Sequence, residues 1–184
     1  MARVRKMILN VGCGEETYGD VRVDLYKTST STMNFDCDKP FPLENSSFDT
    51  VYTKSLFEHL LYPHDFLKES FRVLKPKGNL VLITDNAGYW RYHYKGFFGS
   101  PTHVSYKGKY GEDDKHYALY NMFHLSNHLT KVGFEITNCQ YMSPKKKTSE
   151  LQCSPQKKVD RLLVHVLGKP MTMLHVLIEG VKPE

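Results

Sequence analysis

Leu9-Asn10-Val11-Gly12-Cys13-Gly14, followed ten positions later by Val23-Asp24, is the stretch on which the reading of this 184-residue chain turns. Met7 to Val11 is a short apolar run of the kind that forms a buried strand, and Gly12-x-Gly14 ends it with residues small enough to let the backbone turn and approach a ligand. Val21-Arg22-Val23-Asp24 reads as a second strand with an acid at its end. In an open α/β sheet ligands sit at the carboxyl ends of the strands, where an acid can accept both hydroxyls of a ribose. The dinucleotide fingerprint needs a third glycine three positions after the second, and Thr17 stands there, so the turn that cradles a pyrophosphate is not present. The fitting ligand is an adenosine derivative with an amino-acid tail. A nicotinamide-dependent oxidoreductase is a rival reading that the missing glycine disfavours.

Working outward, Met33 to Asp36 reads as a weaker third strand and Phe48 to Thr53 as a fourth, after the turn Glu44-Asn45-Ser46-Ser47. A helix opens near Pro63, buries Phe66, Leu67, Phe71 and Leu74 on one face, and ends at Pro76-Lys77-Gly78. Leu80 to Thr84 follows as a fully buried strand. The alternation predicts an α/β fold with a mostly parallel sheet. Only Gly12 to Asp20 joins the first two strands, whereas a parallel crossover usually takes a dozen or more residues. The first crossover helix is therefore expected to be reduced or absent, leaving one sheet face for another segment or a partner to cover. Residues 86–124 read as an aromatic and histidine-rich insertion, a lid over the substrate. After it come a helix from Phe123 to Val132 ended by Gly133, a strand from Phe134 to Cys139 and a solvated, lysine-rich loop from Ser143 to Pro155. A last helix around Lys157 to Leu167 and a strand from Met173 to Ile178 complete the chain.

The length fits one domain spanning 1–184. Hydrophobic residues make up 40% and charged residues 24%, with a mean hydropathy of −0.47, which excludes a disordered or fibrous chain. No apolar run approaches the roughly 18 residues of a membrane span. The basic N-terminus lacks the apolar region of a signal peptide, so a cytoplasmic protein is expected. Cys13, Cys37, Cys139 and Cys153 form no C-x-x-C pair, and reduced thiols are the default. A net charge of +5 is compatible with an anionic partner without requiring one.

Six motifs follow one another in a familiar order: Leu9 to Gly14, Val23-Asp24-Leu25, Phe35-Asp36-Cys37-Asp38, Phe41 to Asp49, Phe57-Glu58-His59-Leu60 and Glu69 to Gly78. Together they resemble the class I S-adenosylmethionine-dependent methyltransferases, most closely the methyltransferase type 11 group. The resemblance covers residues 7 to 84 and fades to an echo in Asp114-Lys115-His116-Tyr117 and Gly133-Phe134. It implies a Rossmann-like three-layer αβα sandwich with S-adenosyl-L-methionine as cofactor. Its cofactor residues would be Asn10, Gly12, Cys13, Gly14, Asp24, Leu25, Asp36, Cys37, Thr53, Lys54 and Ser55. The glycine turn would take the methionyl end, Asp24 the ribose, Asp36 and the Cys37 amide the adenine, and Thr53-Lys54-Ser55 would lie near the amino-acid tail. The Asn or Asp followed by Pro-Pro and an aromatic that marks many amino-directed nucleic-acid methyltransferases is absent at Thr53-Lys54-Ser55.

Methyl transfer asks little of the protein beyond in-line positioning, and a base is needed only where the acceptor arrives protonated. His59, His93, His103 and His116 suit that role because imidazole titrates near neutrality. His59 and His116 also match family positions and are the catalytic candidates. Glu58 reads as a group that orients its neighbours. The histidine spacings match no common ligand pattern, so no metal is expected. Tyr89, Trp90, Tyr92, Tyr94, Phe97 and Phe98 either line an acceptor pocket or pack the insertion onto the sheet. Lys145 to Lys147 and Lys157-Lys158 read as solvated charge, and His165 and His175 as partly buried structural residues. A small molecule is the expected acceptor, with RNA or a protein side chain remaining open. A homo-oligomer, or a non-catalytic cofactor-binding subunit completed by a partner, is the alternative organisation.

Overall fold

The computed structural model describes residues 5–90, 116–144, 151–153 and 158–184. The calls on His93, His103, Tyr92, Tyr94, Phe97, Phe98, Asp114, Lys115, Lys145 to Lys147 and Lys157 lie outside the described residues. So does most of the 86–124 insertion. The elements are strands β1 (Ile8–Val11), β2 (Val21–Asp24), β3 (Met33–Asn34), β4 (Phe48–Lys54), β5 (Leu74–Asp85), β6 (Glu135–Pro144), β7 (Leu151–Gln152) and β8 (His175–Val181), with helices α1 (Pro63–Val73), α2 (Met122–Val132) and α3 (Lys158–Thr172). One eight-stranded sheet runs β3-β2-β1-β4-β5-β8-β6-β7. The first five neighbours pair in parallel, and β8 inserts antiparallel between β5 and β6. The expected α/β fold with a largely parallel sheet is present.

Strand alternation sorts the two faces. Leu9 pairs in register with Val51 and that with Leu80, while Val11, Thr53, Leu82 and Ile178 form the next row. These apolar side chains join one core with Phe66 and Leu67 of α1 and Leu125 and Leu129 of α2. Helix α1 starts where the Asp38 carboxylate accepts the Leu61 and Tyr62 amides and Pro63 takes the first turn, where its missing N–H costs nothing. Helix α2 is capped by Asn121, whose side chain accepts the His124 amide, and is ended by Gly133 at φ +113°.

The nine-residue crossover contains no helix. It folds back over the other sheet face instead, held by the Asn10 side-chain amide donating to Tyr18 O and by a Tyr18 ring packed edge-on against Tyr52 at 4.8 Å. Gly19 is needed for this, because at φ +99° a Cβ would stand 3.1 Å from the Asn10 side chain.

Three expectations are revised. Helix α1 ends at Val73, and Leu74, read as part of its buried face, begins β5, which runs through the Pro76-Lys77-Gly78 stretch expected to end the helix. The 143–155 segment is not all loop, since β6 continues to Pro144 and pairs with β7 through Ser143 and Gln152. His165 is exposed on α3, whose chain breaks at Gly168 as the sequence suggests, whereas His175 is buried.

His128 of α2 lies against the Phe57 and Tyr120 rings. Burial, with His64 of α1 and His124 on its own helix nearby, holds its imidazole below the ordinary value. The unfolded chain therefore takes up this proton first, and stability is lost as pH falls below about 6.5. Urea midpoints should decline between pH 7 and 5.5, and His128→Gln should flatten that decline; parallel profiles for the two proteins would contradict the assignment.

Candidate active site

A cleft of about 410 Å³ opens at the carboxyl ends of β1, β2 and β4, a size suited to a small-molecule ligand. Gly12, Cys13, Gly14, Asp24, Leu25, Asp36, Cys37, Lys54 and Ser55 line it, so nine of the eleven expected cofactor residues converge there. The other two do not. Asn10 is fully buried on the opposite sheet face, where it ties down the crossover, and Thr53 points into the core row between Val11 and Leu82. A one-residue step along a strand reverses the face, so Thr53 is hidden while Lys54 is presented.

The amides of the glycine turn are engaged within the chain. Gly12 and Cys13 both donate their amides to Val23 O, at 2.8 and 2.9 Å, and the Gly14 amide donates to Asp24 Oδ2 at 2.8 Å. The turn's contribution is therefore close approach and the placement of Asp24. Gly12 sits at φ +74°, and a Cβ there would stand 2.8 Å from Leu56 Cβ. Ser55, at the far side of the cleft, also has a left-handed backbone at φ +51°, fixed by its amide donating to Ile83 O.

Charge gives the cleft its character. Glu15, Glu16, Asp24, Asp36 and Asp38 line it with a single lysine, Lys54, which is paired to Glu16 at 2.7 Å. Burial raises the Asp36 carboxyl, but the Asp38 amide and the Lys39 ammonium outweigh it and hold the group below the usual carboxylate range. Burial and the surrounding carboxylates, Asp24 foremost, push the Cys37 thiol up, and burial and Asp24 do the same for Cys13. Both are neutral thiols that shape the wall and are poor nucleophiles.

Behind the cleft stands a polar cluster. His59, which lines the cleft, lies on the short 3-10 turn Phe57–His59 and meets His116 edge-on, with ring centroids 4.5 Å apart. Asp85, at the end of β5, reaches both His116 and His175, with Nδ1 to carboxylate distances of 3.6 and 3.2 Å. Glu58, read from the sequence as orienting its neighbours, is buried, and its Oε2 accepts from Thr84 Oγ1 at 2.6 Å. Burial first, then the Asp85 carboxylate, pushes it up to about 8. The two catalytic candidates are thus adjacent; beside them stand Glu58 and His175, to which the sequence assigns structural roles, and Thr84 and Asp85, which it does not single out. Alternation along β5 and β8 could have flagged Thr84, Asp85 and His175 as strand-end polar residues, but nothing in the sequence places β8 beside β5.

Tyr89 and Trp90 are anchored by α3, both donating to the Asp160 carboxylate. The sequence leaves the aromatic cluster open between an acceptor pocket and packing on the sheet; these two side chains are tied to α3.

Residues 21–82 match the family model described as a methyltransferase domain. Among solved structures, a chain of the complex between the Haloferax volcanii Trm112 methyltransferase activator and a methyltransferase superposes with TM-score 0.63 at 16% identity, over 97% of this chain and 82% of that one. An S-adenosylmethionine-dependent methyltransferase from Thermotoga maritima gives TM-score 0.64 at 16% identity over 97% and 83%. The chain has the class I methyltransferase fold. The Haemonchus contortus phosphoethanolamine N-methyltransferase 2, solved with S-adenosyl-L-methionine, gives 0.63 at 17% identity, over the whole of this chain and 50% of its own. No curated protein matches the chain in sequence at a significant level.

Because Gly12 meets both a steric and a conformational limit, Gly12→Ala should cost about 1 to 2 kcal/mol from the left-handed backbone alone. Displacement of Leu56 adds to that cost. Chemical denaturation reads the loss, and a stability equal to the parent's would mean that the turn is looser than described.

Proposed function

We propose that this chain is an S-adenosylmethionine-dependent methyltransferase acting on a small molecule. The observation that carries the reading is the excess of carboxylates around the cleft, five against one paired lysine. Such a lining favours an adenosine ligand bearing a sulfonium cation and opposes a pyrophosphate, which argues for S-adenosylmethionine over a nicotinamide dinucleotide. It equally opposes a nucleic-acid backbone at the cleft, which favours a small acceptor over RNA. When bound, S-adenosylmethionine supplies an electrophilic methyl group on its sulfonium sulfur. Asp24 would hold the ribose, with Gly14 keeping its carboxylate aimed; Asp36 and Cys37 would border the adenine, and Lys54 and Ser55 the amino-acid tail. His59 and His116 are the proposed catalytic pair: they meet at the back of the cleft, and an imidazole there could take the proton of an acceptor hydroxyl, thiol or amine.

An adjoining cavity of about 560 Å³, sharing Glu15, Glu16 and Lys54 with the cleft and bordered by Tyr18 and Tyr52, offers further small-molecule space. The described cysteines are all unpaired, and no described helix is long and apolar enough to cross a membrane. Both fit a reducing cytoplasm. A second reading, a cofactor-binding subunit that works with a partner, draws support from the half-exposed Tyr18 on a sheet face where the first crossover contributes no helix. The activator-bound Haloferax structure is a precedent in the same fold.

Calorimetric titration with S-adenosylmethionine and S-adenosylhomocysteine should show binding, with NAD much weaker. Asp24→Ala should weaken both by about 1 to 3 kcal/mol, the range for losing a hydrogen bond to a charged group. Equal affinity in that variant would displace the site, and preference for NAD would overturn the reading. Binding without turnover on any acceptor, by a protein isolated only with a partner, would favour the second reading.

A further inference from the structure

The cluster behind the cleft carries more than a proton acceptor needs. One oxygen and two imidazole nitrogens, from Glu58, His59 and His116, lie within 4.8 Å of one another. Two nitrogens and one carboxylate oxygen are a donor set that zinc accepts in open catalytic sites, where three protein ligands leave a fourth position for water or substrate. Bond lengths near 2.0 to 2.1 Å would place tetrahedral donors about 3.3 Å apart, so small side-chain rotations close the set.

Two further observations point to a ligand. Glu58 is 1% exposed; the Glu58 and Asp85 amides lean toward its carboxyl, yet Oε1 completes no well-formed hydrogen bond among the described residues, a costly condition for a buried carboxyl oxygen. Asp85 Oδ2 lies 3.6 Å from His116 Nδ1, just beyond hydrogen-bond length, so a small shift would let the carboxylate orient the imidazole with its other nitrogen toward a metal. A single cation between the three groups would satisfy the orphaned oxygen and account for two imidazoles held at right angles beside a buried acid.

We propose that Glu58, His59 and His116 bind one divalent transition-metal ion of the zinc class, with Asp85 orienting His116. The site deepens the methyltransferase reading and rests on it for its role. Because His59 also borders the cleft, an ion held there would lie beside the space open to an acceptor. An acceptor hydroxyl or thiol meeting the ion there would ionise nearer neutral pH. The O–H or S–H bond breaks and its proton leaves to water; the electron pair left on that atom forms its bond to the methyl carbon as the sulfonium's methyl–sulfur bond breaks, and S-adenosylhomocysteine leaves. His59 and His116 would then serve as ligands, not bases, and the favoured acceptor class is a hydroxyl or thiol compound.

The test uses the full chain freed of metal by a chelator. Titration with cobalt(II), followed by visible absorption, and with zinc chloride, followed by calorimetry, should show one tight site per chain. His59→Gln, His116→Gln and Glu58→Gln should each weaken zinc by at least about tenfold, and Asp85→Asn by about 10- to 100-fold. His165→Gln, an exposed histidine on α3, should leave binding unchanged. Circular dichroism establishes that each variant is folded, and His116→Gln stands in for Glu58→Gln should the latter fail to fold. No cobalt absorption, or zinc binding unchanged in the His59→Gln/His116→Gln double variant, would overturn the site. Titration of the parent with S-adenosylhomocysteine reads the function separately: zinc bound without it keeps the site and removes its methyltransferase role. S-adenosylhomocysteine bound without zinc removes the site alone.

Discussion

Val23 O is the point on which the site depends, because it accepts two successive amides, Gly12 N and Cys13 N. That pair of bonds folds the end of β1 sharply against the end of β2, which only a residue tolerating φ +74° permits with Leu56 so close. The fold then delivers Gly14 N to Asp24, and the acid at the end of β2 is held at the cleft wall before any ligand arrives. Much of the preorganisation of the proposed cofactor site therefore follows from backbone bonding between neighbouring parallel strands, and little of it from long side chains. Charge acts on top of this frame: carboxylates gathered at adjacent strand ends raise the Cys13 and Cys37 thiols and give the cleft its sign.

The short first crossover has a comparable economy. A helix there would bury apolar side chains against one sheet face, but nine residues cannot supply one and still return to start a parallel strand. The chain covers the gap with Tyr18 over Tyr52, and it fastens the loop through Asn10 and Asp20, which accepts the Ile8 amide. This explains why Asn10, which the family resemblance places among cofactor residues, is spent on architecture. Its side chain leaves β1 on the face away from the helices and meets the crossover backbone, which in a longer crossover would be elsewhere.

What the sequence made legible follows from the range of the interactions involved. The glycine turn, the acids at Asp24 and Asp36, the Pro63 helix start and the Gly133 helix end are local devices, each readable from a few neighbouring residues, and each is where it was expected. Strand existence was equally readable, because Leu9, Val51 and Leu80 sit in apolar runs. The β6–β7 pairing was not, since Leu151-Gln152 is too short to carry a periodic signal and is recognised only by its partner Ser143. Nor was Thr53's orientation, which depends on strand phase: Thr53, Lys54 and Ser55 read as three candidates, but alternation turns Thr53 into the core while Lys54 and the turn residue Ser55 reach the cleft. The Asp85–His175 approach needs β8 beside β5, a neighbour relation between segments ninety residues apart in sequence.

Glu58 marks the place where local and global demands disagree. A carboxyl at 1% exposure costs several kcal/mol unless it is protonated or paired, and the Thr84 hydroxyl satisfies only one of its oxygens. Protonation alone, toward which burial and Asp85 drive it, neutralises the charge but leaves Oε1 without a described partner and makes Glu58 no better than a glutamine for the fold. A fold selected only for stability would lose little by that exchange. The acid stands beside two histidines and a second carboxylate at the back of the cleft, an arrangement whose cost is intelligible if the cluster is built to receive a cation. Conflicts of this kind between burial and chemistry concentrate at functional sites. That separates Glu58 from the carboxylates at Asp38 and Asp160, whose hydrogen bonds to the α1 entry and to Tyr89 and Trp90 give each of them a structural purpose.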